Sequence, residues 1–253
     1  MNHRAVIATH HKTGTAWMSK VFRAIAARLD IPVIHAAKRV VHPEDVPIPA
    51  IVLNDHSDFS QCEWMFTDAN TRLLHLIRDP RDVIISAMHY HRTAREPWLH
   101  KPRSKFGQQS YQQRLNGLGD EHSQYIWEMD NTGLRIINAM RKWNYSMKHT
   151  IELRYEDLIN DIGGDLFSTA VAHLGFIGPE IGVCRREFGK RHLSNKRKAT
   201  SHHVRSGEAR QWEPIYDAAL AEAFINRFGD VLIDLGYETD NLWAKCRSSG
   251  TKS

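Results

Sequence analysis

Near its start the chain runs from a short apolar stretch, Ala5 to Ala8, into His10-His11-Lys12-Thr13-Gly14-Thr15-Ala16-Trp17. Beyond that turn, apolar residues recur at 17, 21, 25 and 29, the spacing of one helix face. A buried strand feeding a helix through so short a turn points to an α/β fold and builds an anion site. The free N–H groups at the helix start and the positive end of its dipole converge on one point. Gly14 lets the backbone approach closely, and Lys12 adds a mobile positive charge. Taken alone, the stretch is either a phosphate-binding loop or a plain turn with an exposed lysine.

The remaining sequence repeats the alternation. Ile31 to Ile34, Ala50 to Leu53, Leu73 to Ile77 and Thr150 to Arg154 read as further strands. Helices are expected from Asp79-Pro80 through Met88, from Ile126 to Trp143, from Leu166 to Leu174 and from Tyr216 to Leu235. The pattern predicts a three-layer α/β/α fold on a mainly parallel sheet of about five strands. In such sheets ligands bind at the carboxyl ends of the strands. There His10 to Thr15, His56, Arg78 and Tyr155 all fall. The polar stretch from Arg92 to about Gln124 reads as a loop or mobile cover, and Asp157 as a helix cap. Arg185 to Arg210 is strongly basic and is left unassigned. A chain of 253 residues suits one domain over 1–246, with 247–253 expected to be a disordered tail.

A net charge of +5 fits an anionic ligand and, equally, nucleic acid. Except near 185–210, however, the basic residues are spread along the chain rather than clustered, so no nucleic-acid partner is expected. Cys62, Cys184 and Cys246 are odd in number and lack metal-binding intervals, which favours free thiols in a reducing compartment. No apolar run approaches the roughly 18 residues needed to span a bilayer. The first strand starts too early for a signal peptide, so a cytoplasmic location is expected. His89 and His91 lie two apart on a helix and face different ways, and His202-His203 is no better a chelating pair. No metal is expected.

A second motif stands at Arg78-Asp79-Pro80-Arg81-Asp82, with Ser86 following on the helix. Either Asp79 caps a helix whose first turn carries solvated charges, or Arg78 grips a phosphate with its planar fork while Ser86 adds a hydroxyl. The first motif is not the usual nucleotide loop, which needs Gly-Lys-Ser or Gly-Lys-Thr so that the hydroxyl can ligate magnesium. Here the lysine precedes the glycine.

Lys-Thr-Gly-Thr-x-Trp followed by Leu-Ile-Arg-Asp-Pro-Arg-Asp-Val resembles the sulfotransferases, which use 3′-phosphoadenosine 5′-phosphosulfate (PAPS). The motif spacing is closest to that of the cytosolic type. Arg154-Tyr155-Glu156-Asp157-Leu158 is similar to that family's strand-end Tyr-Glu-Asp, and Arg205-Ser206-Gly207 with Trp212 to its Arg-Lys-Gly segment. The resemblance covers roughly residues 5–240 and implies the P-loop-like sulfotransferase architecture. It also implies that Lys12, Thr13, Gly14, Thr15 and Ala16 hold the 5′-phosphosulfate. Arg78, Ser86, Arg205, Ser206 and Gly207 would hold the 3′-phosphate, while Trp17, Tyr155 and Phe188 approach the adenine. Ser206 replaces the family's lysine, with Lys196, Arg197 and Lys198 near in sequence, and Ala16 replaces a common threonine or serine. His56, twenty-two residues before Arg78, stands at the family's catalytic histidine. Asn54 occupies the place of a nearby family lysine, and Asp55 is the alternative base.

The implied activity is in-line transfer of a sulfuryl group from PAPS to an acceptor hydroxyl, leaving 3′-phosphoadenosine 5′-phosphate (PAP). An imidazole, with its ordinary pKa near 6.5, suits His56 as general base, and Lys12 would meet the charge on the departing phosphate. The acceptor is a sugar, another alcohol or a phenol; the polar residues of His89 to Gln124 favour a sugar over a phenol. Two other functions compete with this one, an ATP-dependent kinase with a related loop and a non-catalytic basic binder of polyanions.

Overall fold

The computed structural model describes residues 1–36, 40–195 and 207–245. In chain order these form β1 (Arg4–Thr9), α1 (Thr15–Leu29), β2 (Val33–His35), β3 (Ala50–Asn54) and β4 (Thr71–Ile77). Next come α2 (Pro80–Thr93), α3 (Pro97–His100), α4 (Tyr111–Asn116), α5 (Glu121–Asp130) and α6 (Thr132–Arg141). They are followed by β5 (Thr150–Arg154), α7 (Tyr155–Asn160), α8 (Asp165–His173) and α9 (Pro179–Lys190). The last three are α10 (Ala218–Phe228), α11 (Val231–Asp234) and α12 (Leu242–Lys245). The chain divides into two compact units, Met1–Arg78 with Trp143–Ala209 and Asp79–Lys142 with Arg210–Ser253.

The first unit holds a five-stranded, wholly parallel sheet in the order β2-β3-β1-β4-β5. Central β1 pairs with β3 on one side and β4 on the other, so the carboxyl ends of all three lie along one edge. Alternate residues serve two cores, as the twofold strand period requires. Ala5, Ile7, Leu53, Leu74 and Leu76 pack with Trp17, Val21, Phe22 and Ile25 of α1 and with Phe167 and Phe188. Val6, Ala8, Val52 and Leu73 face the opposite way, among Phe59, Met65 and Trp143. A strand buried on both faces reads as a continuous apolar run, and for that reason β1 and β3 were legible in the sequence.

The second unit is helical. Asp79 caps α2, its Oδ1 accepting from the Arg81 N–H at 2.9 Å, with Pro80 at the first helical position. The expected solvated charges are not solvated, because Arg81 and Asp82 are buried. Arg81 donates to both oxygens of Asp79, pairs with Glu238 at 2.6 Å and lies 3.5 Å above the Trp212 ring. Asp82 accepts from the Trp212 main-chain N–H at 3.0 Å. Trp212, which the sequence grouped with Arg205-Ser206-Gly207, is therefore a packing residue for Arg81.

Residues 92–124 are not an open loop. They fold into α3, α4 and the start of α5 around Tyr111, whose hydroxyl donates to buried Glu128 at 2.9 Å, the carboxylate that also bonds His91. Aromatic contacts among Trp98, Phe106, Tyr111 and Trp127 hold this region. The low apolar periodicity arises because these helices are short and bury rings and polar pairs. Two expected helices are broken, at Asn131 between α5 and α6 and at Gly229 between α10 and α11, and Asp157 lies inside α7. Residues 247–253 lie outside the described residues. Among those described, no helix is long and apolar enough to cross a membrane.

Candidate active site

The loop after β1 is tied to one atom. The His10 carbonyl accepts from the Thr13 N–H (3.1 Å), the Thr13 hydroxyl (2.9 Å) and the Thr15 hydroxyl (2.8 Å). Thr9 bonds the Thr15 hydroxyl at 2.9 Å, and the His10 N–H donates to Thr13 Oγ1 at 2.9 Å. Thr13 and Thr15 thus spend their hydroxyls shaping the loop. Lys12 takes the left-handed region at φ 69° and Gly14 at φ 110°. For a non-glycine residue that conformation costs roughly 1–3 kcal/mol and is held only where the surroundings impose it. Gly14 is the N-cap of α1 and no side chain bonds there, so the first N–H groups of the helix remain directed at the loop.

Gly14 also seats its neighbours. A Cβ there would stand 3.2 Å from both Leu76 Cδ2 and Tyr155 Cδ2. Gly14→Ala is expected to destabilise the protein by at least about 1 kcal/mol, since neither φ nor space suits a side chain. The midpoint of urea unfolding measures it.

At the end of β3, buried Asn54 clamps the turn that carries His56. Its Nδ2 donates to the Asp58 carbonyl at 2.8 Å and its Oδ1 accepts from the Asp58 N–H at 3.2 Å. Ser57, at φ 49°, donates its hydroxyl to the Thr9 carbonyl at 3.1 Å, tying this turn to the end of β1. His56 is exposed at the tip. Asp55 accepts from Ser19 of α1 at 3.5 Å. Asn54 therefore holds the turn where a lysine would have supplied charge.

At the end of β4, Arg78 is buried and reaches across to three segments. Its Nη1 donates to the Lys12 carbonyl (3.3 Å) and its Nη2 to the Glu208 carbonyl (3.2 Å), while the guanidinium lies 4.4 Å from the Tyr155 ring centre. Glu208 directly follows Gly207, the one described residue of the Arg205-Ser206-Gly207 segment, which takes φ 69°. Arg205 and Ser206 fall outside the described residues, as do Lys196, Arg197 and Lys198. Ser86 lies half-buried on α2 in the second unit, and Ala16 is half-buried on the first turn of α1.

Trp17 and Phe188 stand 5.5 Å apart, stacked at 28°, with Tyr155 edge-on to Trp17 at 6.0 Å. A ring lying between two others needs roughly 7 Å, twice the contact distance of carbon atoms. Phe188 is fully buried. Here the two rings pack on each other within the core.

Sequence reasoning gave no role to the groups beneath the loop. His10 Nε2 bonds His75 Nε2 at 2.8 Å, and His75 Nδ1 bonds Glu152 Oε2 at 2.9 Å. The signal was available in β4, where His75 interrupts Leu-Leu-His-Leu-Ile, because a polar group inside a buried strand needs a partner. Burial lowers His75 to about 3; burial, His75 and His56 hold His10 well below 6.5. Burial raises the Glu152 carboxyl to about 7, against an opposing pull from Arg154.

These shifts set a pH dependence. Unfolded His75 would take a proton near 6.5 and folded His75 only near 3, so its contribution is intact above 6.5 and lost as pH falls toward 3. The loss reaches up to about 5 kcal/mol. Glu152 acts with the opposite sign, its contribution fading as pH rises through 7. Thermal unfolding between pH 7 and 4 should therefore show a steeper fall in Tm for the wild type than for His75→Gln.

A family model described as sulfotransferase domain matches residues 2–167. No curated protein matches the chain by sequence. Among solved structures, mouse sulfotransferase SULT7A1 complexed with PAP superposes with a TM-score of 0.58 at 13% identity, covering 93% of this chain and 89% of that one. Retinol dehydratase, in complex with androsterone and the inactive cofactor PAP, gives 0.55 at 16% identity, over 90% of this chain and 80% of the other. The same enzyme with retinol and PAP gives 0.55 at 15%, over 90% and 81%. At these identities the structures establish a shared fold.

Proposed function

We propose, from the premise that the chain belongs to the sulfotransferase family, that it moves a sulfuryl group from PAPS to an acceptor hydroxyl. The observation that carries this reading is the meeting of three strand ends. The loop after β1 presents Lys12 and an uncapped helix start, Arg78 at the end of β4 donates to the Lys12 carbonyl, and the turn after β3 carries exposed His56. That donor set is cationic and rich in N–H groups, as an anion with a phosphate leaving group requires.

When bound, PAPS supplies a sulfuryl group on a phosphate that leaves as PAP. His56 takes the proton of the acceptor hydroxyl as the oxygen–sulfur bond forms and the sulfur–phosphate oxygen bond breaks. Lys12 and the N–H groups at the start of α1 meet the charge that develops on the 5′-phosphate, so the loose transition state is stabilised by position and electrostatics. Arg78 grips the 3′-phosphate, together with Arg205 and Gly207. Ser86 stands in the second unit, and its part in that grip rests on the motif alone. Tyr155 orients Arg78 and borders the adenine. The acceptor is a compound bearing a hydroxyl, and a sugar remains the preferred class on the polar composition of residues 89–124. Cys62 and Cys184 are buried free thiols, in keeping with the reducing, cytoplasmic setting proposed from the sequence.

The kinase alternative asks the hydroxyl after the loop lysine to hold magnesium. In this fold the Thr13 hydroxyl is buried and closed onto His10, which weighs against that role. Thermal shift separates the two. PAP at 100 times its Kd should raise Tm by roughly 5–10 °C. A larger shift with ATP and magnesium would overturn the donor assignment.

A further inference from the structure

Two hydrogen bonds link the surface of the sheet to the hub of the loop. At one end stands Glu152 on edge strand β5, its side chain 31% exposed. In the middle lies His75, fully buried and held flat on Trp143 at 3.9 Å and 6°. At the other end is His10, whose carbonyl takes the three bonds that shape the loop.

We propose that Glu152, His75 and His10 are positioning residues that form a proton-accepting support for the donor loop, taking up one proton at Glu152 when an anionic donor binds. The identity of that anion as PAPS or PAP rests on the function proposed above.

The protons balance along the chain. With Glu152 ionised, His75 donates from Nδ1 to the carboxylate and accepts at Nε2 from the Nε2–H of His10, leaving His10 Nδ1 a bare acceptor. A proton entering at His10 Nδ1 displaces the Nε2 proton to His75, which passes its own Nδ1 proton to Glu152. Glu152 is then neutral and donates to His75, His75 donates from Nε2 to His10, and His10 carries its proton on Nδ1. Both rings are neutral before and after, and their tautomers have exchanged. The Nδ1 of His10 has changed from acceptor to donor, on the residue whose carbonyl holds the loop.

The electrostatics agree with this geometry. The imidazoles resist charging while the carboxyl titrates near neutrality, so the extra proton resides on Glu152. The groups facing the chain are Arg154 on β5, Tyr145 in the segment before it, and His56 from the turn after β3. Arg154 opposes uptake, and an anion in the loop favours it.

The test is calorimetry of PAP binding at pH 7 in two buffers of unlike ionisation heat, on the wild type and on Glu152→Gln. Glu152 lies on an edge strand with its carboxylate partly in water, so the amide is accommodated. If PAP raises the carboxyl by one unit, the wild type takes up roughly 0.4 proton more than the variant. Its PAP affinity then falls up to about tenfold more between pH 6 and 9. In the wild type alone, nitrogen-15 NMR of histidine should show PAP shifting His10 from the Nε2–H toward the Nδ1–H tautomer. Equal proton counts in both proteins, or an unchanged His10 tautomer under saturating PAP, would overturn the relay. Failure of the wild type to bind PAP at all would instead overturn the donor reading, and the relay with it.

Discussion

His56→Ala is expected to lower kcat by about 10²–10⁴-fold while PAP binds with unchanged affinity. The separation follows from the fold. His56 is exposed on the turn after β3, held by the Asn54 clamp and the Ser57 bond to Thr9, whereas the loop proposed to hold the phosphate is shaped by His10, Thr13 and Thr15. Removing the imidazole leaves both sets of bonds intact. Single-turnover kinetics with saturating PAPS, beside a PAP titration, measures the two quantities separately. Asp55→Asn serves as the control, since that carboxylate accepts from Ser19 of α1. Should Asp55→Asn abolish turnover and His56→Ala leave it intact, the base is the carboxylate.

Lys12→Gly should lower kcat by about 10²–10³-fold at little or no cost in stability. Lys12 sits at φ 69°, where glycine is at ease and lysine is not, so the substitution relieves roughly 1 kcal/mol or more of backbone strain. The Lys12 carbonyl that accepts from Arg78 survives in the variant. Any loss of turnover then belongs to the ammonium group, which is a cleaner separation than Lys12→Ala allows. An urea midpoint at or above that of the wild type, combined with the fall in kcat, is the expected pair of results. Unchanged turnover would remove Lys12 from the leaving-group role.

Much of the site was legible because it is local. Lys12, Gly14 and Thr15 lie in one turn, and Asp79-Pro80 announces a helix start wherever it occurs. His56 was singled out by its spacing from Arg78, which matches the family it resembles. The region from 92 to 124 was misread because short helices that pack rings and a buried His91–Glu128–Tyr111 cluster leave no long apolar stripe for a periodic pattern to detect. Trp17 and Phe188 were expected near the adenine; that their rings stack on each other follows from the distance at which α1 and α9 meet, which no local pattern reports.

By itself the sequence determined the five strands, the parallel sheet they form, and the turn from β1 into α1 that carries Lys12. These depend on backbone periodicity and turn chemistry, which act over a few residues. Only the tertiary structure decided that Arg78 supports Lys12, that Asn54 holds the His56 turn, and that Glu152, His75 and His10 form one chain beneath the loop. Each of these joins residues brought together by strand register or by the closing of a turn. Glu152 meets His75 because β5 pairs with β4 at that position, and His75 meets His10 because β4 lies beside β1. Hydrogen bonds of 2.8–2.9 Å between such groups exist only once the sheet has set its register.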